Sequence, residues 1–171
     1  MTKSRKSKIV ALVALLALAA LPSFAGTTDT LIITGKVTAF YDIAITPEAV
    51  ASDLDLTSDQ SAGLKIATVT EKSNNKLGFK VVLNSSNAVG DSLANFDSVS
   101  TTDVLDYTLT YGGETVTFDA SGNATFTLGR TAKTDIDGND VDLLIFYDGT
   151  AVILDSAVDY TDTLLFTISA P

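Results

Sequence analysis

The sequence predicts an all-β protein, an antiparallel β-sandwich of about nine short strands, with a small barrel as the alternative. Three observations lead to this fold class. Apolar and polar side chains alternate with a period of two in segments rich in Val, Ile, Thr, Phe and Tyr. Clusters of Gly, Asp, Asn and Ser, which favour turns, separate these segments. No long segment has the 3.6-residue period of a helix, which disfavours a parallel α/β fold.

The N-terminus has the three parts of a secretory signal peptide. Residues 1–8 contain four basic side chains and no acidic one, and Ile9–Leu21 is an unbroken apolar run. The small residues Ser23 and Ala25 then occupy the positions that signal peptidases prefer. We therefore expect cleavage after Ala25, so that residues 1–25 are the signal peptide and residues 26–171 form a single domain.

A membrane anchor is the alternative interpretation of this apolar run. A helix needs about 20 apolar residues to cross a bilayer, whereas this run has 13 residues and is followed by Pro22. No second long apolar run follows it. We expect an exported protein that is periplasmic, at the cell surface or extracellular, with no membrane span after the signal peptide is removed.

The composition excludes several kinds of chemistry. The chain has no Cys and no His, so it has no disulfide, no thiol nucleophile, no zinc–thiolate site and no Ser-His-Asp triad. It contains only three glutamates, Glu48, Glu71 and Glu114, and no spacing motif pairs two of them as the acid and base of a glycosidase. The sequence predicts no catalytic residue and no enzyme.

The charge balance argues against nucleic acid as a partner. The chain has 11 basic and 21 acidic residues, a net charge of −10. Removal of residues 1–25 takes away four of those 11 basic residues and none of the 21 acidic ones, which leaves a net charge of −14. Such a field repels phosphate backbones and anionic membrane surfaces.

The alternation predicts which segments are extended. In Thr30–Ala39 the residues Leu31, Ile33, Gly35 and Val37 share one face, and in the last segment Leu164, Phe166 and Ile168 do so. The long stretches 48–62 and 85–104 are predicted to be irregular, with one helical turn after Pro47. The predicted extended segments are 30–39, 42–46, 64–71, 78–84, 106–111, 114–118, 124–128, 141–147, 151–154 and 161–169.

One acidic turn is a candidate calcium site. Oxygen ligands for Ca²⁺ can come from four residues around a glycine, which are Asp135, Asp137, Asn139 and Asp140. The spacing does not fit the twelve-residue helix-loop-helix calcium motif. Asp, Asn and Gly also favour turns for backbone reasons alone, so an ordinary hairpin turn is the alternative. The acidic residues Asp53, Asp55 and Asp59 are interpreted as a solvated loop. No other cofactor is predicted.

Three segments resemble known families of exported proteins. Asp29–Val37 (Asp-Thr-Leu-Ile-Ile-Thr-Gly-Lys-Val) resembles the start of mature fimbrial subunits and of spore-coat-U-like proteins. Gly78–Leu83 is similar to a mid-chain strand of the same families, and Tyr160–Ile168 to their closing strand. The closing segment also resembles that of WxL-type cell-surface domains. The chain lacks the cysteine pair that many fimbrial subunits share.

The resemblance implies a fold and a mode of assembly. It implies an immunoglobulin-like sandwich, which in fimbrial subunits is completed by a strand from a neighbouring subunit or from an assembly chaperone. Carried over by position, Leu31, Ile33, Gly35 and Val37 form the donated face at the subunit interface. The alternative is that residues 30–39 are the first strand of a complete monomer.

Taken together, these features predict a non-enzymatic, exported structural or adhesive surface protein. The resemblance implies a fimbria-like fibre subunit that assembles with itself by strand donation. The alternative is a soluble periplasmic or extracellular binding module for carbohydrate or calcium.

Overall fold

The computed structural model describes residues 28–90 and 93–171. The chain divides into two units, residues 1–36 and residues 37–171. In the first unit the described residues, 28–36, have no strand or helix and are exposed. All the strands of the described residues lie in the second unit, which is all-β and has two antiparallel sheets.

Sheet 1 has six strands. Their order is β1-β2-β8-β5-β4, and β6 also pairs with β5. Every pairing in this sheet is antiparallel. Its strands are β1 (Tyr41–Pro47), β2 (Leu64–Ser73), β4 (Ala94–Phe96), β5 (Leu105–Tyr111), β6 (Glu114–Thr115) and β8 (Asn139–Phe146).

Sheet 2 has three strands in the order β7-β3-β9, again with antiparallel pairings. Its strands are β3 (Lys80–Val89), β7 (Ser121–Phe126) and β9 (Leu164–Ser169). In β9, Ser169 lies opposite Lys80 and Leu164 lies opposite Ser85. Because β3 is central, β7 and β9 are the two outer strands of this sheet.

The two sheets share one apolar core, which gives the sandwich. Side chains of β3 alternate inward, and Val81 and Leu83 are fully buried. The ring of Tyr111 in sheet 1 lies 5.0 Å from that of Phe126 in sheet 2, centroid to centroid. It lies 5.4 Å from the ring of Phe166, which belongs to the closing strand of sheet 2. Aromatic rings from both sheets therefore pack against one another in the core between the two layers.

The predicted strand at Thr30–Ala39 is wrong, because the structure has no strand between residues 28 and 40. An alternating pattern makes a segment two-sided, but a strand also needs a hydrogen-bonding neighbour and an apolar surface to cover. Within the described residues, no ladder includes this segment. Its apolar side chains are instead exposed, with Leu31 at 84% and Val37 at 87%.

The region predicted to be irregular, 85–104, contains more strand than expected. β3 continues to Val89, and β4 covers Ala94–Phe96. The alternation of β3 is hidden in the sequence because its register with β7 shifts between Asn84 and Val89. A bulge adds residues to one strand only, and this interrupts the period of two.

The segment 151–154, which was predicted to be a strand, is a loop in the structure. Its apolar residue Ile153 is 96% exposed. The helical turn predicted after Pro47 is present as a 3₁₀ helix at Ala49–Ser52.

No helix within residues 28–90 and 93–171 has the length and apolar character needed to cross a membrane. The predicted signal peptide lies outside the described residues.

Candidate assembly site

The N-terminal segment, residues 28–40, exposes more large apolar side chains than any other short stretch described. Leu31 is 84% exposed, Ile32 78% and Ile33 85%. In an extended chain, Leu31, Ile33, Gly35 and Val37 would fall on one face. Three consecutive exposed aliphatic residues are unusual on a folded protein, so this segment is a candidate contact surface.

Asn74, in the turn between β2 and β3, holds the C-terminal end of this segment. Its side-chain amide donates a hydrogen bond to the carbonyl oxygen of Thr38 at 2.9 Å. Its side-chain oxygen accepts a hydrogen bond from the backbone N–H of Phe40 at 2.8 Å. The two bonds fix the backbone at the point where β1 begins.

Strand β9 is an outer strand with a free edge. Among the described residues it pairs with β3 and with no other strand. Its central side chain, Phe166, is buried, while Leu164 and Ile168 on the same face are only half-buried. A strand with one neighbour presents a row of unpaired backbone N–H and C=O groups to a second chain. β9 thus has one edge without a hydrogen-bonded strand among the described residues and an incompletely covered apolar face, and β1 of sheet 1 lies close to it.

The carboxylate of Asp162 fixes the start of β9. It accepts hydrogen bonds from the hydroxyl groups of Ser85 at 2.6 Å and Ser86 at 2.8 Å. It also accepts the backbone N–H of Asn87 at 3.2 Å and the hydroxyl of Tyr107 in sheet 1. One side chain therefore joins the bulge of β3 to β5 in the opposite sheet and to the residues that lead into β9.

A buried ion pair closes the other end of the sandwich. Arg130, in the loop after β7, donates through Nε to both carboxylate oxygens of Glu71 at 3.0 Å, and through Nη2 to one of them at 2.7 Å. The hydroxyl of Tyr111 donates to the same carboxylate, and the guanidinium lies 5.2 Å from the centre of the Tyr111 ring. Arg130 is 8% exposed and Glu71 1%. The ion pair links the loop that follows β7 of sheet 2 to strand β2 of sheet 1.

Burial and a carboxylate acceptor act together on two tyrosines. Burial raises the pKa of Tyr107, and its hydrogen bond to Asp162 raises it further. Burial likewise raises the pKa of Tyr111, with a further contribution from its hydrogen bond to Glu71. Both hydroxyl groups must remain protonated to donate these bonds, so the folded state favours the neutral form.

Raising the pH above about 10 is expected to lower the free energy of unfolding. In the unfolded chain the tyrosines ionise near pH 10, whereas Tyr107 and Tyr111 keep their protons in the folded protein. The unfolded state then binds fewer protons, so the stabilisation present below pH 10 is lost as the pH rises, by up to about 1.4 kcal/mol per pH unit for each tyrosine. Urea unfolding at several pH values measures this slope. Tyr107→Phe and Tyr111→Phe should each make it shallower, and equal slopes in all three proteins would contradict the assignment.

A cleft lies beside the residues that precede β9. Its volume is about 960 Å³, and its walls are the loop that follows the 3₁₀ helix and residues 154–162. Leu54, Leu56 and Leu154 contribute apolar side chains to it, and the exposed Asp155 and Asp159 contribute carboxylates. No Lys or Arg is found among its described lining residues. The cleft therefore has walls of mixed polar and apolar character and a negative charge.

Of the residues of the predicted calcium site, Asp135 and Asp137 lie in the turn that leads into β8, and Asn139 and Asp140 are the first two residues of β8. All four are exposed. The carboxylate of Asp140 accepts a hydrogen bond from the hydroxyl of Thr70 at 2.7 Å. The carbonyl oxygen of Asp135 accepts the N–H of Gly138 at 3.1 Å, which closes the turn. In the described part of the chain, no three Asp or Glu side chains are grouped so that they can hold a metal ion. Calcium binding by Asp135, Asp137, Asn139 and Asp140 stays a prediction.

Comparison with known proteins finds no protein-family model that matches the chain and no curated protein that matches it. The interpretation of the site therefore depends on its own geometry.

Sequence reasoning missed the ion pair and the Asp162 cluster. Glu71 and Arg130 are 59 positions apart, and Asp162 is 77 positions from Ser85. No local signal identified Glu71 as inward, because the register shift of β2 between Lys65 and Ala67 exchanges the two faces of the strand. The partner itself could not be identified without the register.

Proposed function

We propose that this protein is an exported structural component of the cell surface, a fibre subunit whose N-terminal segment adds as a strand to a sheet edge of a neighbouring copy. The observation that carries the proposal is the segment Leu31–Val37. It has the side-chain alternation of a strand and has no strand neighbour, and its apolar side chains are exposed.

Strand addition would give this segment a hydrogen-bonding neighbour and an apolar surface that covers its side chains. Main-chain hydrogen bonds to an outer strand supply affinity, and alternate side chains fill apolar space on one face. Each aliphatic side chain that becomes fully buried contributes about 1.5–3 kcal/mol. Gly35 has no neighbouring atom within 4 Å where a Cβ would stand, and a residue without a side chain permits close approach of a second backbone.

Strand β9 is the acceptor that suits this segment best. β7 and β9 are the outer strands of sheet 2, and β1 and β4 are those of sheet 1. β4 is only three residues long, and β1 ends at Pro47, which has no N–H to donate. β9 adds the half-buried Leu164 and Ile168 to its free backbone edge, so a new strand beside it gains apolar contacts as well as hydrogen bonds.

The chemistry of the chain supports a structural role. The sequence contains no Cys and no His. The buried carboxylate Glu71 is occupied by Arg130 and Tyr111, and Asp162 by two serines, a backbone N–H and Tyr107. These groups hold the sheets together and are not available to act on a substrate.

Replacing Leu31 and Ile33 by serine is expected to abolish assembly. Each substitution removes about 1.5–3 kcal/mol of burial from the contact between copies, which corresponds to at least tenfold in its affinity. Sedimentation velocity and unheated SDS gels of the exported protein measure the polymers. The matched control is Ile32→Ser, which changes an equally exposed isoleucine on the opposite face of the segment.

The control variant distinguishes strand addition from nonspecific hydrophobic association. Strand addition predicts that Ile33→Ser weakens the polymers and that Ile32→Ser largely preserves them. Equal losses in the two variants would contradict a two-sided strand contact. A wild-type protein that stays monomeric at all concentrations tested would contradict the proposal itself.

A further inference from the structure

The outward surface of sheet 2 has no carboxylate. Its three strands, β3, β7 and β9, contain no Asp and no Glu. Alternate residues of these strands are buried, so the residues between them point away from the core. We call this surface the sheet-2 face, and its central residues are Lys80, Val82, Asn84, Thr125, Leu165 and Thr167.

The outward surface of sheet 1 is acidic by comparison. Asp42 in β1, Asp106 in β5, and Asp140 and Asp142 in β8 are all exposed there. The chain has a net charge of −10, so two copies repel one another in most orientations. Of the two sheet surfaces, the sheet-2 face is the one through which two copies can meet without burying a carboxylate.

The sheet-2 face has apolar side chains at its centre and fixed polar groups around them. Val82 lies between Thr125 of β7 and Thr167 of β9, and Leu165 is 60% exposed. The side-chain amide of Asn84 donates to the side-chain oxygen of Asn123 at 3.1 Å, which holds both side chains in place. An apolar centre with a polar rim is the usual composition of a protein–protein contact.

Strand addition at β9 would widen this face. If Leu31 and Ile33 of the added segment point into the sandwich, then Ile32, Thr34 and Lys36 point outward, beside Leu165 and Thr167 of β9. Ile32 is 78% exposed in the single chain. The fourth strand therefore adds an isoleucine and no carboxylate to the sheet-2 face.

We propose that the sheet-2 faces of copies in neighbouring fibres pack against each other, so that the fibres associate side by side. This inference rests on the proposed function and adds a second, lateral contact between copies to it. Two sheets pack face to face about 10 Å apart, and the small side chains of Thr125 and Thr167 permit this approach. Lys80 is the first residue of β3, so its ammonium group can extend from the rim into solvent.

The size of the face indicates that the lateral contact depends on repetition. Four strands of about six residues cover roughly 400 Å², whereas a stable pair of proteins buries about 800 Å² on each partner. A single pair of faces is therefore weak. Copies that are already joined in a fibre present the same face many times, and linked contacts of this kind gain affinity without any new interaction.

Thr167→Asp tests the lateral contact, because it places a carboxylate in the middle of the sheet-2 face of every copy. We expect the variant to form fibres that no longer bundle. Electron microscopy and low-speed sedimentation measure the bundles, and unheated SDS gels measure the polymers within each fibre. The matched control is Thr108→Asp, which changes an exposed threonine on the acidic surface of sheet 1 and should leave bundling unchanged.

Ile32→Ser supplies a second variant that does not alter a strand of the folded domain, since residue 32 lies outside the described strands. It should preserve the polymers on gels and reduce the bundles. Loss of bundles in Thr108→Asp to the same extent as in Thr167→Asp would overturn the assignment to sheet 2. Bundles that survive both Thr167→Asp and Ile32→Ser would also overturn it.

Salt dependence distinguishes this contact from one made by ion pairs. Raising the salt concentration from 0.01 to 0.15 M shortens the screening length from about 30 to about 8 Å. Because the net charges of the copies oppose the contact, wild-type fibres should bundle more at the higher concentration. Bundles that dissolve on adding salt, or fibres that stay single in every condition, would remove the lateral contact and leave strand addition standing. A chain that gives no polymers on gels would remove the proposed function together with this inference.

Discussion

Replacing Arg130 by alanine is expected to lower the free energy of unfolding by about 3–5 kcal/mol. The substitution leaves the carboxylate of Glu71, which is 1% exposed, without its counter-charge in the interior of the sandwich. It also removes the guanidinium from the rings of Tyr111 and Phe126, whose centres lie 5.2 and 5.9 Å away. Urea unfolding followed by near-ultraviolet circular dichroism measures the loss.

Two further variants separate the ion pair from other effects of Arg130→Ala. The surface pair of Lys65 and Asp142 has a similar distance, 2.7 Å, but both side chains are well exposed. Lys65→Ala should therefore change stability by less than about 1 kcal/mol. The double variant Glu71→Leu with Arg130→Met removes both charges and should be more stable than either single variant. A double variant less stable than both singles would contradict the role assigned to the buried charge.

Replacing Asp162 by alanine is expected to lower the free energy of unfolding by about 3 kcal/mol. Two of its donors lose their acceptor inside the protein: Ser85 is fully buried and Tyr107 is 3% exposed. An unsatisfied buried hydroxyl group costs about 1–3 kcal/mol. Because Asp162 also positions the residues leading into β9, hydrogen exchange of the β9 amides should become faster in the same variant.

Conservative substitutions remove these hydrogen bonds only in part and should therefore lower the free energy of unfolding by smaller amounts. Tyr107→Phe removes a single donor and should cost less than Asp162→Ala, and Asp162→Asn keeps an acceptor oxygen and should fall between them. Asp106→Ala is the matched control, since Asp106 is an exposed residue in β5, next to Tyr107. It should change stability by less than about 0.5 kcal/mol. A cost as large as that of Asp162→Ala would show that the loss does not come from the hydrogen bonds.

The fold class followed from local patterns because each strand buries one face. Val81 and Leu83, alternate residues of the predicted segment 78–84, are fully buried, and Phe166 on the predicted face of the closing strand is buried as well. Gly112 and Gly113 lie between the predicted segments 106–111 and 114–118, where they connect β5 and β6, and both have positive φ. Such φ angles are those that a tight hairpin needs. These features depend only on neighbouring residues, which the sequence displays directly.

Features that depend on distant pairing could not be predicted. The register of β2 shifts between Lys65 and Ala67, so the buried face passes from Ile66 to Ala67, Val69 and Glu71. A bulge is set by the neighbouring strand, and a single-residue slip exchanges the two faces. The partners of Glu71 and Asp162 depend on this three-dimensional register. The signal peptide, the calcium site and the assembly role stay predictions.

The hydrogen bonds from Asn74 to the backbone of Thr38 and Phe40 limit the distance that the N-terminal segment can reach. Leu31 and Thr38 are only seven positions apart, and a fully stretched chain spans at most about 3.3–3.6 Å per residue. Anything that engages Leu31 must come within roughly 25 Å of that anchorage. The hydrogen bonds of this one asparagine thus limit how far from Thr38 the side chain of Leu31 can make a contact.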